Sequence, residues 1–233
     1  MATPKFFHDQ ALLSGELVVL SEGESHHAVS VRRLHEGDSV ILINGKGVKA
    51  NAVIDVIRKR QVSVRINEVE IVASPDFEIT IAAAVPKGDR SKTMLDMLTQ
   101  LGIKAFIPLQ CEFSVSKIND KHMDKWQRGI IEACKQSENP FIPELRSLMT
   151  PQQAVESVTQ SDVLTYYADQ EGVSVPQIAH SNALIMIGPE GGFSANEMQY
   201  FQNKGVTAVK LGSHILRTET AAISAAAVFV AAQ

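Results

Sequence analysis

Ile187-Gly188-Pro189-Glu190-Gly191-Gly192-Phe193, followed by Leu211-Gly212-Ser213-His214-Ile215-Leu216-Arg217-Thr218-Glu219-Thr220-Ala221, decides how the chain reads. An apolar run precedes each stretch, at 183–187 and 206–211, and a helical pattern follows each. Strand, loop and helix, twice over, predict α/β architecture. Ligands of such sheets sit beyond the carboxyl ends of the strands, where these loops lie. Ser194-Ala195-Asn196-Glu197 is a capping box. It opens a predicted helix that runs to Lys204 and stops at Gly205. Adjacent Gly191 and Gly192 allow unusual dihedrals and a close approach to the main chain. No Gly-Lys-Ser/Thr and no Gly-x-Gly-x-x-Gly is present, so this is neither a Walker loop nor the dinucleotide fingerprint. The second stretch gathers Arg217, Thr218, Glu219 and Thr220 at the start of the last helix, predicted over 221–232. A helix start needs one capping residue, not a charged pair among two threonines. That helix is alanine-rich, suited to close packing, and shorter than the ~20 apolar residues a bilayer requires.

Gly188-Pro189-Glu190-Gly191-Gly192-Phe193-Ser194-x-x-Glu197, with Leu211-Gly212-x-x-Ile215-Leu216-Arg217-Thr218-Glu219-Thr220-Ala221 after it, resembles the ribosomal RNA uracil-N3 methyltransferases of the SPOUT class. The resemblance extends to Pro86-Lys87-Gly88-Asp89-Arg90, to Ala133-x-x-Gln136-Ser137 and to an N-terminal domain of matching length, and so covers nearly the whole chain. It implies a SPOUT-type, mostly parallel sheet with a C-terminal trefoil knot, against the general rule that chains are unknotted. It implies a PUA-like β-barrel over 1–72 that binds RNA, a methyltransferase domain over 73–233, and a homodimer. The implied activity is S-adenosylmethionine-dependent methylation of N3 of one uridine in small-subunit (16S) ribosomal RNA. The implied cofactor residues are Tyr167, Gly188, Pro189, Glu190, Gly191 and Gly192 on one side. On the other they are Leu211, Gly212, Ile215, Leu216, Thr218, Thr220 and Ala221.

Composition sets the outer bounds. A chain of 233 residues, 45% hydrophobic and 21% charged, suits one or two globular domains. The start of the chain has no secretory-signal pattern and no segment is long enough to be transmembrane. Cys111 and Cys134 lack metal-ligand spacing and suit a reducing compartment, so a cytoplasmic protein without metal is expected. The net charge is −4. Residues 1–72 carry nine basic and nine acidic side chains and 73–233 carry thirteen and seventeen, so any RNA surface must be local. Candidates are Arg32-Arg33, Arg58-Lys59-Arg60 with Arg65, and Lys87 with Arg90.

Along the chain, 16–20 reads as a strand and 25–34 as a short helix capped by Ser25. Strands follow at 39–43, 48–57 and 61–66, the first two joined through a hairpin turn at Asn44-Gly45-Lys46-Gly47. From the residues alone a PUA-like and an OB-like barrel are equally open. After a linker at 73–76, strands are predicted at 77–85, 105–109 and 163–167. Helices are predicted from Ser91 to Gly102, over 120–136 and over 152–158. Met123, Trp126, Ile130, Ile131 and Cys134 make the core face of the 120–136 helix, while Lys121, Lys125, Arg128 and Lys135 face water or RNA. A sheet of five or six strands results.

Methyl transfer from a sulfonium needs positioning rather than a metal. A uridine N3 acceptor must lose its imide proton, and charge develops on the flanking carbonyl oxygens. Arg217, alone among Arg and Lys in the two loops, is the candidate to stabilise that charge. Glu190 and Glu219 are candidate bases or orienting groups, with a helix-dipole role the alternative for Glu190. Four positions depart from the family pattern. Met97, Gln100, Phe113 and Asn139 stand where the resemblance leads one to expect Lys, Glu, Arg and Arg. An ion-pair network lost as a unit and a changed RNA surface are both open readings. So are a ribose 2′-O-methyltransferase of the same fold and a non-catalytic RNA- or ribosome-binding homologue.

Overall fold

The computed structural model describes residues 3–158, 162–175 and 181–231. The chain divides into two compact units, Met1–Ser74 with Ile131–Ile142, and Pro75–Ile130 with Pro143–Gln233.

The first unit contains β1 (Lys5–Phe7), β2 (Leu17–Val19), α1 (Glu22–His26), β3 (Ser39–Ile43), β4 (Val48–Arg58) and β5 (Gln61–Ile71). Its sheet has the order β1-β3-β4-β5-β2, antiparallel except where β1 joins β3. Alternate residues of the long strands, among them Val40, Leu42, Ala52, Ile54, Val62 and Val64, close on Phe6 in one core, as a period of two requires. In the β3–β4 turn the Asn44 side-chain oxygen accepts from the amides of Lys46 and Val48, an Asx turn. Gly47 there has φ +89°, and a Cβ on it would meet the Phe141 ring at 2.6 Å.

Two expectations fail in this unit. The first helix begins at Glu22, not Ser25, because Ser21 is the cap and its hydroxyl accepts from the Glu24 amide. Ser25 is buried instead, donating to the Leu20 carbonyl and accepting from the Val62 amide. A π-helical turn, His27–Val31, follows α1. Lys135 does not face water: it is 5% exposed, with Nζ 2.8 Å from Glu24 Oε1 and 2.6 Å from Glu132 Oε1.

The second unit holds β6 (Ile79–Ala84), α2 (Asp89–Gln100), β7 (Ala105–Leu109), α3 (Asp120–Ser137), β8 (Glu144–Leu145) and α4 (Pro151–Glu156). It continues with β9 (Val163–Ser174), β10 (Asn182–Ile187), α5 (Ala195–Asn203), β11 (Thr207–Lys210) and α6 (Thr218–Ala231). Residues of α3 from Ile131 onward belong to the first unit. The six strands run β11-β9-β10-β6-β7-β8, every pairing parallel. Strands buried on both faces read as unbroken apolar runs, and β6 and β10 do. Ile81, Ala83, Ile185 and Ile187 enter the cluster that contains Phe106, Ala222, Ala226 and Phe229. Ala82, Ala84, Leu184 and Met186 enter the opposite one with Tyr167 and Phe201. Among the described residues no helix is long and apolar enough to cross a membrane.

Three boundaries differ from the pattern. α2 starts at Asp89, ahead of Ser91, because Gly88 at φ +70° turns the chain into it. α6 starts at Thr218 rather than Ala221, and Ala232 lies outside the described residues. β9 does not end at Tyr167 but continues to Ser174. Its register with β11 shifts between Ala208 and Val209, and a Cβ on Gly172 would fall 2.6 Å from the Val209 nitrogen. Only glycine fits where two backbones approach that closely.

Cys111 and Cys134 are both buried, and burial pushes each thiol up to about 12, with the Glu197 charge adding to the effect at Cys111. Thiolate is the reactive form, so the native protein at pH 8 should not react with an aromatic disulfide reagent, and both thiols should react in urea. Rapid labelling of either in the native protein would contradict this packing. Unfolded thiols ionise near 8.5, so the stability these groups contribute is complete below that pH and lost as pH rises toward 12.

Candidate active site

The carboxyl end of β10, the middle of β9 and the start of α6 enclose a cavity of about 270 Å³. The β10–α5 loop supplies Gly188, Pro189, Glu190, Gly192 and Phe193. The loop from β11 to α6 supplies Leu211, Ile215 and Leu216, and α6 itself Thr218 and Ala221. The two loops are tied directly, the Thr218 hydroxyl donating to the Gly188 carbonyl at 3.3 Å. The capping box holds the first loop against α5. Ser194 accepts from the Glu197 amide, and Glu197 accepts from the amides of Ser194 and Glu112. Gly192 has φ +73°, the left-handed conformation that lets the chain double back here.

Four of the expected cofactor residues do not line the cavity. Tyr167 is buried in the core, against Phe201 and edge-on to Phe193. Gly191 is exposed and turned the other way, with a Cβ there 3.2 Å from the Phe113 Cβ. Gly212 lies under Leu216, and Thr220 is exposed on α6. Conversely, Ala168, Asp169 and Gln170 line it from the middle of β9. Gln170 Nε2 donates to the His214 carbonyl at 2.9 Å, bracing the second loop. From the sequence Ala168-Asp169 reads as the tip of a strand that ends at Tyr167, yet the strand runs on past both.

Charge is concentrated beside the cavity. Arg90, in the first turn of α2, stands 3.5 Å from Glu190 Oε1 and 3.7 Å from Glu219 Oε2. One guanidinium thus lies between the two candidate acids. Glu219 Oε2 is buried and has no hydrogen-bond partner among the described residues, so Arg90 is its source of compensation. Arg217, between the lining residues Leu216 and Thr218, is exposed, forms no ion pair among the described residues, and gives its carbonyl to the Ala221 amide at 2.8 Å. Lys87 is exposed one turn before Arg90, and Arg32 and Arg33 are exposed in the first unit. Of the four departures, Met97 and Gln100 are exposed on α2, with Gln100 donating to Asp96. Phe113 packs on Gly191, and Asn139 accepts from the Phe141 amide. No group of three or more His, Cys, Asp or Glu side chains that could hold a metal occurs among the described residues.

The profile of the RNA methyltransferase domain matches residues 73–230, and that of the RNA methyltransferase PUA domain matches 20–67. A parallel α/β unit with its cavity at the strand ends, preceded by a PUA-like domain, is therefore an RNA methyltransferase. The chain is 32% identical to ribosomal RNA small subunit methyltransferase E of Rickettsia conorii, over 92% of this chain and 89% of the other. It is 30% identical to the protein of that name from Bacillus subtilis, over 87% and 85%. The structure of a Legionella pneumophila methyltransferase in complex with the cofactor SAM superposes with a TM-score of 0.91 at 31% identity, covering 100% of this chain and 98% of that one. Ribosomal RNA small subunit methyltransferase E from Neisseria gonorrhoeae, bound to S-adenosyl methionine, gives 0.90 at 27% identity over 97% and 96%. The chain belongs to the ribosomal RNA small subunit methyltransferase E family.

Proposed function

We propose that the protein methylates N3 of one uridine in 16S ribosomal RNA, using S-adenosylmethionine held in the 270 Å³ cavity. The observation that carries this is the convergence of both loops on one cavity with Arg90, Glu190 and Glu219 at its edge. The residues present fit the cofactor. Leu211, Leu216 and the 89%-exposed Ile215 offer an apolar clamp to adenine, and Asp169 offers a carboxylate to ribose hydroxyls or to the amino group. The bound cofactor supplies an electrophilic methyl group; the protein's part is to orient it and to manage charge on the acceptor. Glu190 or Glu219 takes the imide proton, and Arg90 holds both carboxylates in place. Arg217 meets the charge that develops on the uracil oxygens. Residues 1–72 supply RNA affinity and 73–233 the transferase. A SPOUT-type trefoil knot, a homodimer and a cytoplasmic setting complete the proposal.

The test is methyl transfer from labelled cofactor into ribosomal RNA of a strain lacking this protein, with mass spectrometry of the digested RNA. Label on uracil N3 is expected. Label on a ribose 2′ oxygen would assign the other chemistry, and no incorporation into RNA or subunits would mark a binding protein without activity.

A further inference from the structure

A second cavity, of about 350 Å³, lies within the same unit and shares no lining residue with the first. Its walls are the start of α2 with the loop before it, the 115–118 segment and the first turns of α3. Lys87, Lys117 and Lys125 line it, all three exposed and none in an ion pair among the described residues. Asp89 is the one carboxylate in the lining. Three ammonium groups gathered around one acid, on a chain of net charge −4, make a local concentration of positive potential. The Ser116 hydroxyl is buried beside them with no hydrogen-bond partner among the described residues. His122 lies against Trp126 with ring centres 5.9 Å apart. Its Nδ1 accepts from the Asn119 amide, which leaves Nε2–H as the ring's donor. Cations, a free hydroxyl and an imidazole N–H are the donor set of a phosphodiester site.

Two chain segments join this cavity to the first. Asp89 and Ser91 line it, while Arg90 between them contacts Glu190, which lines the other. Phe113, 47% exposed, packs on Gly191, and two residues later Val115 enters the lining. A strand of RNA with one base at Glu190 and its aromatic neighbour would therefore bring the adjoining backbone over the lysines.

We propose that this cavity seats a backbone phosphate of the RNA next to the acceptor nucleotide, with Lys87, Lys117 and Lys125 as its cationic wall. The inference rests on the reading of the chain as a ribosomal RNA methyltransferase. The test uses the full chain carrying Lys117→Gln and Lys125→Gln together. A matched variant, Lys121→Gln with Arg128→Gln, removes two exposed charges of α3 that do not line the cavity. The probe is 16S ribosomal RNA and small subunits from a strain lacking the protein. The cavity variant should raise KM for RNA by about ten-fold or more. It should also flatten the plot of log affinity against log salt by about 0.7, the contribution of the one single-strand phosphate seated here. Its turnover and cofactor affinity should be unchanged, and the matched variant should behave as the wild type. A cavity variant with wild-type slope and KM overturns the site. So does an equal effect in the matched variant, or a fall in turnover with the slope intact. If the wild-type protein transfers no methyl group to this RNA, the function proposed above fails. The binding slope, read without turnover, then still decides the cavity.

Discussion

Arg217→Ala is expected to lower single-turnover methyl transfer by about 10²–10³, the usual effect of removing one donor to developing charge. Cofactor affinity should stay close to that of the wild type. Arg90 is occupied by Glu190 and Glu219, while Arg217 is exposed, unpaired among the described residues, and fixed at its backbone by the first turn of α6. Only Arg217 has its charge free for an acceptor. On the proposed role, in which Arg217 meets charge that develops in the transition state, its loss should appear in turnover rather than in binding. Arg217→Lys should rescue poorly, since an ammonium lacks the planar fork that spans two oxygens. A structural role would show otherwise: cofactor binding or self-association would weaken in step with the rate. Calorimetry with the cofactor and sedimentation, run beside the rate measurement, tell these apart. Normal turnover in the alanine variant would remove Arg217 from the mechanism.

Lys135→Met is expected to destabilise the first unit by about 3–5 kcal/mol, the cost of leaving a buried carboxylate without its cation. Glu24 is 9% exposed, and its Oε1 accepts from Lys135 and from the Phe7 amide, while Oε2 has no partner among the described residues. Glu132, half-exposed, can turn to water; Glu24 cannot. The double variant Glu24→Gln, Lys135→Met should recover most of the loss, because both charges leave together. Trp126, the chain's one tryptophan, belongs to the second unit, so its fluorescence is a poor reporter of this change. Amide exchange in β4 and β5 is the suitable measurement. A single variant as well protected as the wild type would show that the pair is not needed for stability.

These two residues also mark how far the sequence could be read. The loops at 188–193 and 211–218 were legible because their signals are local: a capping box, paired glycines, and charged residues at a helix start. Lys135 was misplaced because a lysine on a helix is almost always solvated, and its partner Glu24 lies 111 residues away. The second half of β9 was hidden for a related reason. Asp169 and Gln170 are polar because they border a cavity, and polarity alone cannot tell a cavity wall from a turn. Ser25 shows the limit of capping rules where two serines compete. The hydroxyl that caps the helix is Ser21, and the other is held by the core. Arg90 was legible as a cation near the site, but its acid partners, Glu190 in the β10–α5 loop and Glu219 in the first turn of α6, come far along the chain, and no pattern joins them.

The all-parallel sheet has a consequence for how the protein is made. Its two innermost strands, β6 and β10, pair residues 104 positions apart. At ribosomal speeds of about 5–20 residues per second, roughly 5–20 s separate the emergence of one from the other. During that interval β7 can cover one edge of β6, but the other stays open: a row of unpaired amides on a strand that is buried along its whole length in the folded protein. Nothing in the strand guards that edge, since Ile79–Ala84 has neither charge nor proline. The nascent chain therefore carries its greatest hazard of mispairing while it is still being synthesised. Slowing translation between β6 and β10 should lower the soluble yield more than slowing it anywhere after Ile187.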